Sequence, residues 1–195
     1  HNTYEASKSE AERFIFQNQS DLPVTLHRPS MVVGNSKTGK IIHFQVFYHL
    51  CEFLSGQHTH GLIPQTGGVF LDTIPVDYVA RAIVHSSLNP NQTSGKLFHL
   101  CSGPKGSVPI PDLVNRVQER FNSNGGVRTH AIPSTLFRRS LPVMAWFANE
   151  RGKKALRNLP LFLDYLDFPQ QFSNERSEAF FNQQGIGLPF FPDYL

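Results

Sequence analysis

Tyr4-Glu5-Ala6-Ser7-Lys8, near the start of a 195-residue chain, sets a phenol and an amine four positions apart. On an α-helix that spacing puts both on one face, one turn apart. A phenol of pKa near 10 is a poor acid at neutral pH, but an ammonium about 4 Å away at an effective dielectric near 20 favours the phenolate by about 4 kcal/mol. That is about three pKa units before desolvation opposes it. So placed, Tyr4 is competent as a general acid near pH 7. The plain alternative is a surface tyrosine beside a solvated lysine, and these five residues do not separate the two.

Working outward, Asn2 and Glu5 have the spacing of a capping box, and Ala11, Phe14 and Ile15 continue an apolar helical spacing. Tyr4, Lys8, Ala11 and Ile15 share a stripe predicted to face the body of the protein. An apolar run from Val24 to Val33 follows, interrupted by Arg28-Pro29-Ser30 and ending at Gly34. Proline cannot donate to a ladder, so pairing is expected to end at Arg28-Pro29, with Ser30 to Asn35 a loop at the strand's carboxyl edge. In open α/β sheets ligands bind at that edge.

Ile42 to Leu54 reads as a helix with Phe47, Leu50, Cys51 and Leu54 on one face, helping to wall a cleft. Val69 to Ile74 is a short extended run, Pro75 precedes a helix whose inner face is Val76, Val79, Ala80 and Ile83, and Lys96 to Cys101 is a buried strand. Pro111-Asp112 opens a helix directing Leu113, Val114, Val117 and Phe121 inward. Arg128 to Ile132 reads as a strand, Ser134 as the cap of another helix, and residues 135 to 168 as mostly helical.

Taken in order, Tyr-x-x-x-Lys on a helix, the Arg28-Pro29-Ser30 strand end, Ile74-Pro75-Val76-Asp77-Tyr78-Val79-Ala80 and Phe98-His99-Leu100-Cys101 resemble the carboxyl-terminal half of an extended short-chain dehydrogenase/reductase. Within that superfamily the likeness is to the thioester reductase and fatty acyl reductase (male-sterility-like) branch. Phe172-Ser173-Asn174-Glu175-Arg176, Gly185-Ile186-Gly187-Leu188-Pro189 and Asp193-Tyr194-Leu195 extend it at the end of the chain. The resemblance implies that Tyr4 protonates the oxygen that gains charge when hydride reaches a carbonyl carbon. It also implies that Lys8 holds the nicotinamide ribose, and that Pro29 and Ser30 pack beside the nicotinamide. Catalytic roles thus fall on Tyr4 and Lys8, and cofactor contacts on Tyr4, Lys8, Pro29 and Ser30, with NADP expected and NAD the alternative.

A complete reductase of this type opens with a strand, a glycine-rich turn and a helix whose amino terminus holds the pyrophosphate. Gly67-Gly68 and Gly125-Gly126 are isolated pairs without the G-x-G-x-x-G arrangement. The expected fold is therefore α/β: the carboxyl-terminal portion of a Rossmann-type doubly wound parallel sheet (1–110) plus a small, mostly helical substrate-binding portion (111–195), the amino-terminal glycine-rich half being absent. Such a piece is expected to be inactive alone. It would expose an apolar edge along Val24 to Val33, favouring a dimer or an amino-terminal helix that covers the edge.

With 39% hydrophobic and 17% charged residues, and no run of 18 apolar residues, the composition is that of a soluble globular protein without a membrane span. Cys51 and Cys101 lie in apolar elements, so two buried free thiols in a reducing cytoplasm are expected. His58-Thr59-His60 lacks a third spaced ligand, and no metal is expected. A net charge of +3 excludes little. Lys153, Lys154 and Arg157 read either as a solvated helix face or as a docking surface for an acidic carrier protein or the phosphates of coenzyme A. The basic residues are not interleaved with aromatics as nucleic-acid binding would require. The expected function is NADP-linked reduction of an acyl thioester bound to a carrier protein or coenzyme A. A sugar-nucleotide epimerase or dehydratase, and a non-catalytic structural or carrier-docking module, are the alternatives.

Overall fold

A computed structural model describes residues 3–18, 22–42, 46–57, 59–122, 127–147, 163 and 171–190, and of 3–5, 46, 122 and 147 only the backbone. In chain order the elements are α1 (Thr3–Gln17), β1 (Leu26–Pro29), β2 (Met31–Val33), α2 (Val46–Leu54), β3 (Leu62–Pro64), β4 (Phe70–Leu71) and β5 (Thr73–Pro75). There follow α3 (Val76–Leu88), α4 (Pro90–Thr93), β6 (Leu97–Leu100), α5 (Gly103–Gly106), β7 (Val108–Pro109), α6 (Ile110–Asn122), β8 (His130–Ile132), α7 (Ser134–Phe147) and α8 (Glu175–Gln183). The fold is α/β with parallel strand pairs, as expected.

β1 runs parallel to β6, Leu26 beside Leu97 and Pro29 beside Leu100. β2 runs parallel to β5, Met31 beside Thr73 and Val33 beside Pro75. Pairing does not end at Arg28-Pro29, contrary to the expectation that Ser30 to Asn35 form a loop. Leu26 donates its N–H to Lys96 O, and Ser30 to Leu100 O, both at 2.9 Å. In a parallel ladder successive residues point their N–H to opposite edges, so the even-numbered residues serve β6 and the donor missing at Pro29 belongs to the other edge. The ladder passes the proline, and the loop begins only at Gly34. β3 pairs with β8 in parallel, and β4 with β7 antiparallel. β3 was not foreseen, because Leu62-Ile63-Pro64 is too short to show alternation.

Residues with period two along β2 face two different cores. Met31 and Val33 pack on the first, which is built from α2 (Phe47, Leu50, Phe53, Leu54), Ile110, Leu113 and Val117 of α6, and Phe137 and Met144 of α7. Val32 packs on the second, formed by Ile74, by Tyr78, Val79 and Ala82 of α3, by Phe98 and Leu100 of β6, and by Phe181 of α8. The cores interleave in sequence: α2 joins α6 and α7, whereas α8 returns to β6 and α3.

The inner face of α3 is Tyr78, Val79, Ala82 and Ser86, rotated from the expected one; Val76 and Ile83 are 40% and 44% exposed. The helix is apolar on nearly all sides, so its own pattern does not choose a face. The choice comes from α8, where Phe181 is fully buried and meets Tyr78 edge-on. The Ser134 hydroxyl, expected as a cap, donates instead to Gln65 O at 2.9 Å and so ties α7 to the end of β3. Cys51 is half-buried and Cys101 buried, both free, and burial pushes each thiol up to about 12, where neither is a nucleophile. Among the described residues no helix is long and apolar enough to cross a membrane.

His27 on β1 stacks on Phe98 and lies 3.0 Å from Ser86 Oγ through Nε2. The Ser86 hydroxyl hydrogen goes to Ala82 O at 2.9 Å, so Nε2 carries the hydrogen shared with Ser86. Burial holds the imidazole pKa below its ordinary value. As pH falls, the unfolded chain therefore takes up this proton first, and stability is lost from about 6.5 downward.

Two outcomes follow from this packing. Phe181→Ala should lower the unfolding free energy by about 3–5 kcal/mol in urea titrations, whereas Phe14→Ala, at a position 68% exposed, should change it by less than about 0.5 kcal/mol. His27→Gln should flatten the loss of stability between about pH 7 and pH 5; an unchanged slope would assign that loss to other groups.

Candidate functional site

Positions 4, 8 and 12 of α1 share a stripe, each one turn from the next. Glu12 anchors it: its carboxylate accepts from Arg28 Nε at 2.7 Å and from Arg28 Nη2. Arg28 Nη1 also approaches His99 Nε2 at 3.4 Å, which must accept because a guanidinium only donates. The bond from Arg28 holds the Glu12 carboxyl below the usual carboxylate range, and the same bond raises Arg28. Side chains 46% and 26% exposed make this pair worth at most about 1 kcal/mol. Its effect is geometric, since Arg28 leads directly into Pro29-Ser30.

Tyr4 lies within α1, but its side chain is outside the described residues; Lys8 is exposed. Of the described side chains in the stripe predicted to face inward, Lys8 and Ala11 are exposed and Ile15 is half-buried. Among the described contacts, the Glu12–Arg28 pair links α1 to β1. Pro29 is exposed at the end of β1. Ser30 is half-buried, and its buried hydroxyl has no partner at ordinary hydrogen-bond geometry. The Lys153, Lys154 and Arg157 cluster lies outside the described residues.

The segment after β2 is held from two sides. Gly34 N–H donates to Tyr48 Oη at 2.9 Å, and a Cβ at Gly34 would lie 2.8 Å from Ile41 Cγ2, so a larger residue there would require Ile41 to shift. Ser36 donates through its N–H and its hydroxyl, each at 2.8 Å, to Asp77 in the first turn of α3. Burial alone would raise Asp77, but the Ser36 bonds and Arg81 overcome it and keep the carboxyl ionised. Gly34 to Lys40 has the glycine-lysine spacing of a phosphate-binding loop, yet its amides are already engaged. Lys37 and Thr38 N–H donate to Asn35 Oδ1, Gly39 N–H to Asn35 O, and Lys40 N–H to Thr38 Oγ. The loop is a closed turn and leaves no cradle of free donors.

Sequence reasoning missed Asp72. It is buried between β4 and β5 and accepts N–H from Ser102 at 2.8 Å and Gly103 at 2.9 Å. Burial raises its pKa, partly offset by Ser30, Ser102 and Gly103. A single acid inside the apolar run Val69 to Ile74 was the available signal.

Residues 1–83 match the family model described as male sterility protein, an NAD-binding family, and this span contains Tyr4, Lys8, Pro29 and Ser30. An isonitrile lipopeptide synthase of Streptomyces coeruleorubidus is 28% identical over 150 residues, which are 76% of this chain and 9% of that protein. The terminal R domain of the myxalamid PKS-NRPS biosynthetic pathway is 25% identical with a TM-score of 0.67, covering 92% of this chain and 43% of that one. The reductase (R) domain of a nonribosomal peptide synthetase from Mycobacterium tuberculosis shares the fold, at 16% identity and a TM-score of 0.61 over 89% of this chain and 45% of that one. The chain thus spans less than half of the R domains it matches and a small part of the synthase. With the male sterility match at its start and the R-domain fold along most of its length, it resembles the carboxyl-terminal part of an extended short-chain dehydrogenase/reductase of the thioester reductase branch.

Proposed function

We propose that residues 1–195 supply the proton-donor side of an NADP-linked reductase acting on an acyl thioester, and that they need a glycine-rich nucleotide-binding half to turn over. The observation that carries this reading is the Glu12–Arg28 contact, which holds the helix bearing positions 4 and 8 against the strand that ends in Pro29-Ser30. The family match over residues 1–83 and the R-domain fold support the reaction class. The need for a second half is supported by the 43% coverage of the R domain and by a sequence without a G-x-G-x-x-G turn.

The residues present suit the nicotinamide end of such a cofactor: positions 4 and 8 set a phenol and an amine one turn apart, and Pro29-Ser30 stands at the carboxyl end of β1. A reduced nicotinamide, when bound, supplies the hydride. In this reading Tyr4 gives its phenolic proton to the thioester oxygen as charge gathers there, so no free alkoxide forms. Lys8 stabilises the phenolate left behind, and its ammonium donors suit ribose hydroxyls. The Pro29-Ser30 backbone flanks the ring and limits it to one face. NADP rather than NAD follows only from the likeness to reductases, and a carrier-borne acyl group from the R-domain relatives.

The test joins residues 1–195 to the glycine-rich half of an R domain and compares the product with the 195-residue chain. NADPH should bind the joined protein but not the shorter chain in calorimetric titration; tight binding by the shorter chain would contradict the proposed division. Tyr4→Phe should lower thioester reduction by about 10²–10⁴-fold with little change in NADPH affinity. Full turnover by that variant, or turnover of sugar nucleotides in place of thioesters, would overturn the assignment. Glu12→Gln should raise the NADPH KM and speed amide exchange in α1 while lowering stability by no more than about 1 kcal/mol.

A further inference from the structure

The Asp72 carboxyl sits where three segments converge, and the proposed chemistry leaves it unused. It binds the turn after β6 through the N–H groups of Ser102 and Gly103. That turn is closed from other directions too. The Ser102 hydroxyl donates to Thr73 O, and Asn174 Nδ2 donates to Cys101 O at 3.0 Å. Gly103 has φ of +68°, and a Cβ there would lie 2.2 Å from Asn174 Oδ1, so the turn has no slack. The third segment is the junction of β1 and β2. Met31 pairs with Thr73 in parallel register, so Ser30 and Asp72, the residues just before them, stand side by side at the start of the ladder. The Ser30 hydroxyl is buried there without a partner at ordinary geometry, and it helps to offset the rise that burial gives the Asp72 carboxyl. A buried hydroxyl left unpaired is costly, so a small rotation that donates it to the carboxylate is favoured.

We propose that Asp72 is a positioning residue for Ser30: its carboxylate takes the Ser30 hydroxyl and the two amides of the Ser102-Gly103 turn together, and so fixes where the Pro29-Ser30 backbone stands. This rests on the reading that Pro29-Ser30 flanks the nicotinamide. A carboxylate offers about four acceptor sites, and the two amides leave room for the hydroxyl. Alanine at position 30 would remove one donor, whereas asparagine at position 72 would turn an amide NH₂ toward a donor that needs an acceptor.

The first arm needs no cofactor and uses the 195-residue chain. In NMR titrations the amide protons of Ser102 and Gly103 should shift with one common pH midpoint, and the Ser30 amide should shift with it. Cys101, the neighbouring titratable group, stays neutral throughout, because burial first and the Asp72 charge second push its thiol up to about 12. Asp72→Asn should abolish the common step at all three amides. A Ser30 amide that does not respond overturns the proposal. The second arm uses the joined reductase: Ser30→Ala and Asp72→Asn should each weaken NADPH binding about tenfold, and the double variant no more than the worse single one. Asn174→Ala, which loosens the same turn without touching Ser30, should leave NADPH affinity near that of the parent. Additive losses, or equal losses from Asn174→Ala, would make Asp72 merely structural. If Asp72→Asn fails to fold, Asp72→Glu, which moves the charge by one methylene, is judged by the same two criteria. Should the unaltered joined protein not bind NADPH, the functional reading fails while the amide titration still decides the role of Asp72.

Discussion

The alternation Met31-Val32-Val33 is the constraint on which this structure depends. Successive side chains of a strand point to opposite faces, so Met31 and Val33 pack on one core and Val32 on the other. A shift of one residue in the pairing of β2 with β5 would exchange the two sets and leave both cores badly filled. Register is thereby fixed at the point where the backbone passes from Pro29-Ser30 into the loop carrying Gly34 and Ser36. The hydrophobic packing that stabilises the fold also sets the height of the candidate site.

Polar contacts then finish what packing begins. Asp72, Asp77, Tyr48 and Asn174 each tie a strand end or turn to a neighbouring element, chiefly through backbone groups. Buried carboxyls are expensive unless bonded. Asp72 carries that penalty in its raised pKa, whereas Asp77, more open and bonded twice by Ser36, does not. The Glu12–Arg28 pair, partly open to solvent, adds little stability but links α1 to β1. Contacts of small energy thus carry much of the geometry here.

Where sequence reading erred, the reason was packing between distant segments. The inner face of α3 was misplaced because Val76, Tyr78, Val79, Ala80, Ala82 and Ile83 leave the helix apolar on most sides, and Phe181, about a hundred positions later, selects the face. Pairing through Pro29 was missed because a proline in sequence does not say which edge its absent donor would have faced. β3 escaped because three residues are too few for a period. Asp72 was visible as an acid in an apolar run, but its partners at 102 and 103 lie thirty residues away.

Local chemistry in the sequence was enough to determine the helix carrying positions 4 and 8, the Leu97–Leu100 strand and the Ile110–Asn122 helix with its inward-facing residues, while the parallel α/β class came from the likeness to the reductase branch. The three elements follow from periodicity, capping and turn chemistry within a few residues. Only the tertiary structure decided that α8 returns to β6, that Glu12 of α1 pairs with Arg28 of β1, and that Asp72 takes the amides of Ser102 and Gly103. Each of these is a contact between segments far apart in the chain, and side-chain shape and hydrogen-bond direction choose such partners only once the chain has closed.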